Sequence, residues 1–167
     1  FNRQLAITLA SCGYEVHCYL PDFTEEEALD AKEKNVSLIK AKQSKGQNDI
    51  ERLSQKPTDL DFDVIIGHDI VTGPAMADLK MNYYKDSKVI LFIHTAPGEI
   101  EWLKPEQEIE SVAGKAETKE NKQKELALNV DWVAAVGPHL FFETQSLLSG
   151  ATSNNNLIQF NPGLFKP

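Results

Sequence analysis

Two histidines, each closing a short apolar run, are the side chains best placed to do chemistry. Val64-Ile-Ile-Gly-His68 leads into Asp69-Ile-Val-Thr72-Gly73-Pro74, and Lys88-Val-Ile-Leu-Phe-Ile-His94 leads into Thr-Ala-Pro97-Gly98-Glu99. A β-branched run that stops at a polar residue and a Gly/Pro-marked turn is how a buried parallel strand delivers side chains to a crevice. In open α/β sheets ligands bind at that carboxyl edge. An imidazole there can accept or donate a proton near neutral pH. For His68 two readings stand: a ring lining a pocket, or a packed histidine bonded to a nearby carbonyl. Asp69 and Thr72 flank a helix N-terminus, which suits an anion or a hydroxyl-rich ligand, but both are also capping residues. Thr72 is the expected N-cap, with Pro74 in the first turn and a helix running to about Tyr83. Glu99 and Glu101 follow His94 on what reads as a loop through Pro97 and Gly98. Hydrolysis by a carboxylate pair needs a separation of ~5 to 9 Å that spacing alone does not fix, so a glycosidase is not expected. His139 follows Gly137-Pro138 at a third strand end, and His17 alternates with Glu15 and Tyr19 on what reads as an outward strand face. The four histidines do not show metal-ligand spacing, and no metal site is expected.

The elements that must position these groups alternate along the chain. Leu5, Leu9 and Cys12 recur at helical spacing, and Gly13 is placed for the left-handed turn that ends a helix. Tyr14 to Leu20 reads as a strand stopped by Pro21, Asp22 to Lys34 as a solvated helix with an acidic first turn, and Val36 to Ile39 as a short strand. A polar turn at Ser44 to Asp49 precedes a weak helix through Ile50 and Leu53. Strands follow at Val64 to Ile66, Val89 to Ile93, Asp131 to Val136 and Leu157 to Phe160. A long helix is expected from Pro105 to about Asn129, with Ile109, Val112, Ala113 and Ala116 on one face and Lys119 to Lys124 in solvent. Leu140 to Leu148 reads as a helix closed by Gly150, and Thr152 to Asn156 as a polar loop. Strand and helix alternation with crossovers of this length predicts an α/β fold, a doubly wound, mostly parallel sheet with helices on both faces.

The 167 residues, 41% hydrophobic and 25% charged, are expected to form one domain that buries roughly 70% of its unfolded surface. A formal charge of -8 argues against broad binding to nucleic acid, which needs a basic face. No apolar run approaches the ~20 residues that span a bilayer. Cys12 and Cys18 form no disulfide framework and read as small buried apolar residues, compatible with a reducing, cytoplasmic setting. The chain begins at Phe1, inside what reads as a helix, so a targeting segment is not testable from it. Dinucleotide, Walker-type and nucleophile-elbow motifs are absent from these residues.

Taken in order, the helix ending in Gly13-Tyr-Glu-Val16, the strand ends Ile66-Gly-His68 and Phe92-Ile-His94, the strand Val130-Asp-Trp-Val-Ala-Ala-Val-Gly137 and the closing Phe160-Asn-Pro-Gly163 resemble the N-terminal half of a family 4 glycosyltransferase of the GT-B type. Gly-His-Asp-Ile-Val-Thr-Gly-Pro-Ala is also similar to glycosyltransferase-like domains found inside large proteins of defence or conflict systems. The resemblance spans nearly the whole chain. It implies a Rossmann-like acceptor-side domain over residues 1–160, with 161–167 opening an interdomain linker. It further implies that the family's first strand, central in the sheet between those at Val16 and Val64, lies before Asn2.

On this resemblance His94 is the catalytic candidate, near the transferred sugar, and His68, Asp69, Gly98, Glu99 and Glu101 line the acceptor side. Trp102 either stacks on a sugar or covers the domain, and covering is preferred. The intact parent would move a sugar from a nucleotide-sugar to an acceptor with retention. That nucleotide-sugar is a co-substrate held mainly by a C-terminal Rossmann-like domain in cis, and no other cofactor is expected. The isolated segment is expected to be inactive. The alternative is a glycosyltransferase-like binding or signalling module, without catalysis, in a larger multidomain protein. A nucleotide-dependent epimerase of related architecture is a third reading.

Overall fold

Apolar runs short enough for strands, each followed by a helical stretch, fold as the alternation demands. A computed structural model describes residues 1–104, 109–150 and 156–163, with the backbone alone at 109 and 110. The expected helix start at Pro105, nearly all of the polar loop at Thr152 to Asn156 and the linker beyond residue 163 lie outside the described residues. Contacts cluster in two units, Phe1–Leu60 and Asp61–Pro167.

In the first unit, helices α1 (Asn2–Ser11) and α2 (Glu25–Glu33) alternate with the parallel strands β1 (Val16–Leu20) and β2 (Val36–Lys40). Ala6, Ala10 and Val36 are buried, and Ile7, Val16, Cys18, Ala31 and Leu38 pack against them. Gly13 adopts φ +91° just past α1. Its N–H bonds to the Ala10 carbonyl at 3.0 Å, which closes the helix in the left-handed turn that glycine enters freely. Thr24, not Asp22, begins α2, through a capping box with Glu27. The weak helix is a 3-10 turn, Glu51–Ser54. It lies on the β1 face that carries Tyr19, whose hydroxyl donates to the carbonyls of Arg52 and Gln55 at 3.2 and 3.1 Å. The His17 side chain is only 13% exposed, so this face is not the outward one that alternation suggested. Cys12 is exposed and Cys18 half-buried, which corrects the expectation that both are buried.

The second unit is a four-stranded parallel sheet in the order β3 (Val64–His68), β4 (Lys88–Ile93), β5 (Trp132–Val136), β6 (Asn156–Phe160). The connecting helices are α3 (Asp69–Asn82), α4 (Pro97–Trp102), α5 (Ile109–Leu128) and α6 (Gly137–Leu147). The α/β, Rossmann-like, parallel arrangement read from the sequence is therefore the one observed. Its core joins Val89, Leu91 and Ile93 of β4 and Val133 of β5 to Met76 of α3 and Ala127 of α5. Gly67 lets α3 close on β3, because a Cβ there would lie 2.9 Å from both Cβ and Sδ of Met76 and 3.2 Å from the Gly73 Cα. Among the described residues, β1 pairs with β2 alone and β3 with β4 alone, so one edge of each carries no ladder.

Three local expectations fail for tertiary reasons. α3 begins at Asp69, with His68 in the N-cap position and Pro74 inside the helix, so Thr72 is not the N-cap. Its hydroxyl instead accepts the His68 backbone N–H at 2.8 Å, fastening the turn. The stretch through Pro97 is a short helix, α4, with proline in its first turn. Finally, the middle of α5 is not wholly solvated: Val112, Ala116, Gln123 and Ala127 form one buried stripe at helical spacing, while Ala113 is exposed.

Candidate histidine site at the sheet edge

Side chains alternate along a strand, and this parity builds the site. Val89, Leu91 and Ile93 face the helices, so Phe92 and His94 face the other way; Gly67 faces α3, so His68 shares their side. Register pairs His68 with Phe92, which puts His94 two residues beyond that pairing on the neighbouring strand. The two imidazoles meet, with His68 Nδ1 and His94 Nε2 sharing a hydrogen bond at 2.9 Å. Phe92 supports both: its ring stacks on His94 at 6.0 Å and lies 5.7 Å from that of His68, while Phe160 meets Phe92 edge-on.

Asp69 fixes the turn beside them. It is 8% exposed and adopts φ +49°, a left-handed conformation that aspartate tolerates better than most residues. Its Oδ1 accepts the backbone N–H groups of His94 at 2.9 Å and Thr95 at 3.3 Å. One carboxylate thus ties the start of α3 to the end of β4. Strain of this kind, held in place by buried hydrogen bonds, is characteristic of functional sites.

Burial pushes the His68 ring down from its ordinary value to about 4, and the neighbouring His94 adds to the effect. Burial lowers His94 as well, against the Asp69 carboxylate, which raises it. Both rings are neutral at pH 7. With one proton in the shared bond, the two remaining ring nitrogens carry one N–H and one lone pair between them, and moving both protons exchanges those roles. The pair is thus a polar group at the strand edge that carries no charge at pH 7.

The carboxylates expected on the acceptor side divide. Glu99, on α4, is exposed and reaches His139 Nε2 at 3.2 Å. Glu101 is 1% exposed, bonded to Lys104 at 2.7 Å and to Lys119 of α5. Those two ammonium groups hold its carboxyl down to about 2. Gly98 is buried, and a Cβ there would meet only the side chain of Glu120 on α5, an exposed glutamate free to turn aside. Trp102, expected to cover the domain, is 55% exposed.

Sequence reasoning missed Phe92 as the floor of the histidine pair, Lys104 and Lys119 as partners of Glu101, and the convergence of Glu99, His139 and Glu143. A signal existed for the last: His139 and Glu143 are four apart on a helix and therefore share a face.

Among the described residues no helix is long and apolar enough to cross a membrane. No curated protein and no solved structure matches the chain. The family model described as "Family 4 Glycosyltransferase in conflict systems" matches residues 1–167. With its parallel α/β architecture and a paired-imidazole strand edge, this chain belongs to the family 4 glycosyltransferases of conflict systems.

Proposed function

We propose that the chain forms the acceptor side of a glycosyl-transfer cleft, facing a nucleotide-sugar held mainly by a second Rossmann-like domain in cis. The observation that carries this reading is the neutral His68–His94 pair at the carboxyl edge of two adjacent parallel strands. In transfer, the bond from the anomeric carbon to the diphosphate oxygen breaks and one to the acceptor oxygen forms. The acceptor proton leaves on the departing nucleoside diphosphate, and retention follows from the family resemblance. His94 touches the transferred sugar, donating to or accepting from one of its hydroxyls. His68, Glu99 and Gly98 meet the acceptor, Asp69 positions His94 through its backbone, and Glu101 acts by tying α4 to Lys119 of α5. Preorganised dipoles of this kind favour developing charge without reorganising during the reaction. The one-sided ladders of β1 and β3 fit pairing with a further strand in the intact protein.

The test is made on the intact protein with a panel of uridine, guanosine and adenosine sugar nucleotides. At least one should raise its melting temperature and serve as donor to a sugar acceptor. His94→Ala should lower kcat by about 100-fold with little change in melting temperature, as expected for loss of an interaction made in the transition state. The 167 residues alone should transfer nothing. Absence of both a thermal shift and transfer with every donor would refute the enzyme reading in favour of a binding module.

A further inference from the structure

A second cluster of ligating side chains stands on the same rim, built by different elements. His139 is the third residue of α6 and Glu143 follows it by one helical turn. Glu99 reaches them from α4. One ligand atom from each of the three lies within 4.8 Å of the others, and all three residues are exposed.

We propose that Glu99, His139 and Glu143 bind a divalent first-row transition ion. One imidazole nitrogen and two carboxylate oxygens form a mixed donor set suited to Zn²⁺ or Mn²⁺. A tetrahedral ion with ligands at about 2.1 Å holds its donor atoms about 3.4 Å apart. His139 Nε2 and the Glu99 carboxylate already stand 3.2 Å apart. Glu143 therefore has only a small distance to close, by rotation of a solvent-exposed side chain. Without a cation, two carboxylates converge on one imidazole, which can bond through Nε2 to only one of them at a time. With one, both gain a shared partner. Three protein ligands leave a fourth position for water or a hydroxyl of a ligand, on the rim that carries the histidine pair. The inference does not depend on glycosyl transfer and is read by metal binding alone.

The experiment is calorimetric titration of the 167-residue chain with Zn²⁺ and, separately, Mn²⁺. One ion per chain should bind saturably with at least one of the two metals. His139→Ala and Glu143→Gln should each weaken that binding by at least about 10-fold, the loss typical even of outer-shell changes at metal sites. Both replace exposed residues, so an unchanged far-ultraviolet circular dichroism spectrum certifies the fold. The His68→Asn/His94→Asn double variant and Cys12→Ser should leave binding as it is. No saturable binding up to about 1 mM overturns the proposal. So does binding that survives His139→Ala, or that disappears with the His68/His94 double variant or with Cys12→Ser instead.

Discussion

Lowering the pH from about 7.5 to about 4.5 should destabilise the second unit through His68 before any carboxylate contributes. The sign follows from linkage. His68 titrates at about 4 when folded, against 6.5 as its ordinary value. Between those values the unfolded chain binds the proton and the folded chain does not, so stability falls as pH falls. The contribution is complete above pH 6.5 and declines down to the folded value. Integrated to about pH 4.5, the loss is about 2.5 kcal/mol at most. Screening of the partly exposed ring reduces it to about 1 to 2 kcal/mol. His94, lowered in the same direction, adds to it. The carboxylates held low, among them Glu101 and Asp131, act elsewhere: their contribution is present above about pH 4 to 4.5 and lost as pH falls toward their folded values.

Trp102 and Trp132, the two tryptophans of the chain, both lie in the second unit, so their fluorescence in urea reports that unit without following α1 or α2. Stability should drop between about pH 6.5 and about pH 4.5 in the native chain, and the slope should shrink by most of the His68 share in His68→Asn. A flat profile over this range would refute the reasoning, as would an equal slope in His68→Asn. Either result would mean that the ring titrates in the folded state as it does in water.

Two further outcomes test the supports of the pair. Gly67→Ala should lower stability by about 1 to 3 kcal/mol in urea unfolding, because its Cβ would meet Met76 and the Gly73 backbone at 2.9 to 3.2 Å, where little can give way; unchanged stability would show that α3 shifts freely. Asp69→Ala should lose about 2 to 4 kcal/mol, from two buried hydrogen bonds to a carboxylate and the strain of a left-handed alanine. Asp69→Gly should recover about 1 kcal/mol of that by relieving the strain alone. If glycine is no better than alanine, φ at Asp69 is not the constraint.

The strand ends are legible in the sequence because Val64 to Gly67 and Val89 to Ile93 have no polar interruption until the chain leaves the sheet, and in β4 most of that run is buried. Gly13 is legible for a backbone reason. What escapes is set by contacts between distant residues. Thr72 has every local mark of an N-cap, yet α3 starts four residues earlier, with His68 as its N-cap and the Asp69 carboxylate tying that turn to the N–H groups of His94 and Thr95. Lys119 to Lys124 reads as solvated because charge is counted without α4, whose Glu101 turns that helix face inward by pairing with Lys119. Glu101 itself reads as a ligand-binding carboxylate until its two lysines are in place.

The histidine site and the core of the second unit come from one alternation. Odd-numbered residues of β3 and β4, Ile65, Gly67, Val89, Leu91 and Ile93, pack toward α3 and α5, and the even-numbered His68, Phe92 and His94 are thereby committed to the opposite side. A one-residue slip of either strand would bury an imidazole among Met76 and Leu91 and turn apolar side chains to the side of the histidine pair, so hydrophobic burial fixes the register. Asp69 adds what alternation cannot, since it couples the exits of two strands and sets the height of His94 against His68. The meeting of the two imidazoles therefore rests on packing on one side of the sheet and on a single carboxylate at its rim, carried by a residue in the left-handed conformation. For that reason Gly67→Ala, although its methyl would point away from the histidine pair, should disturb the 2.9 Å imidazole contact along with the core.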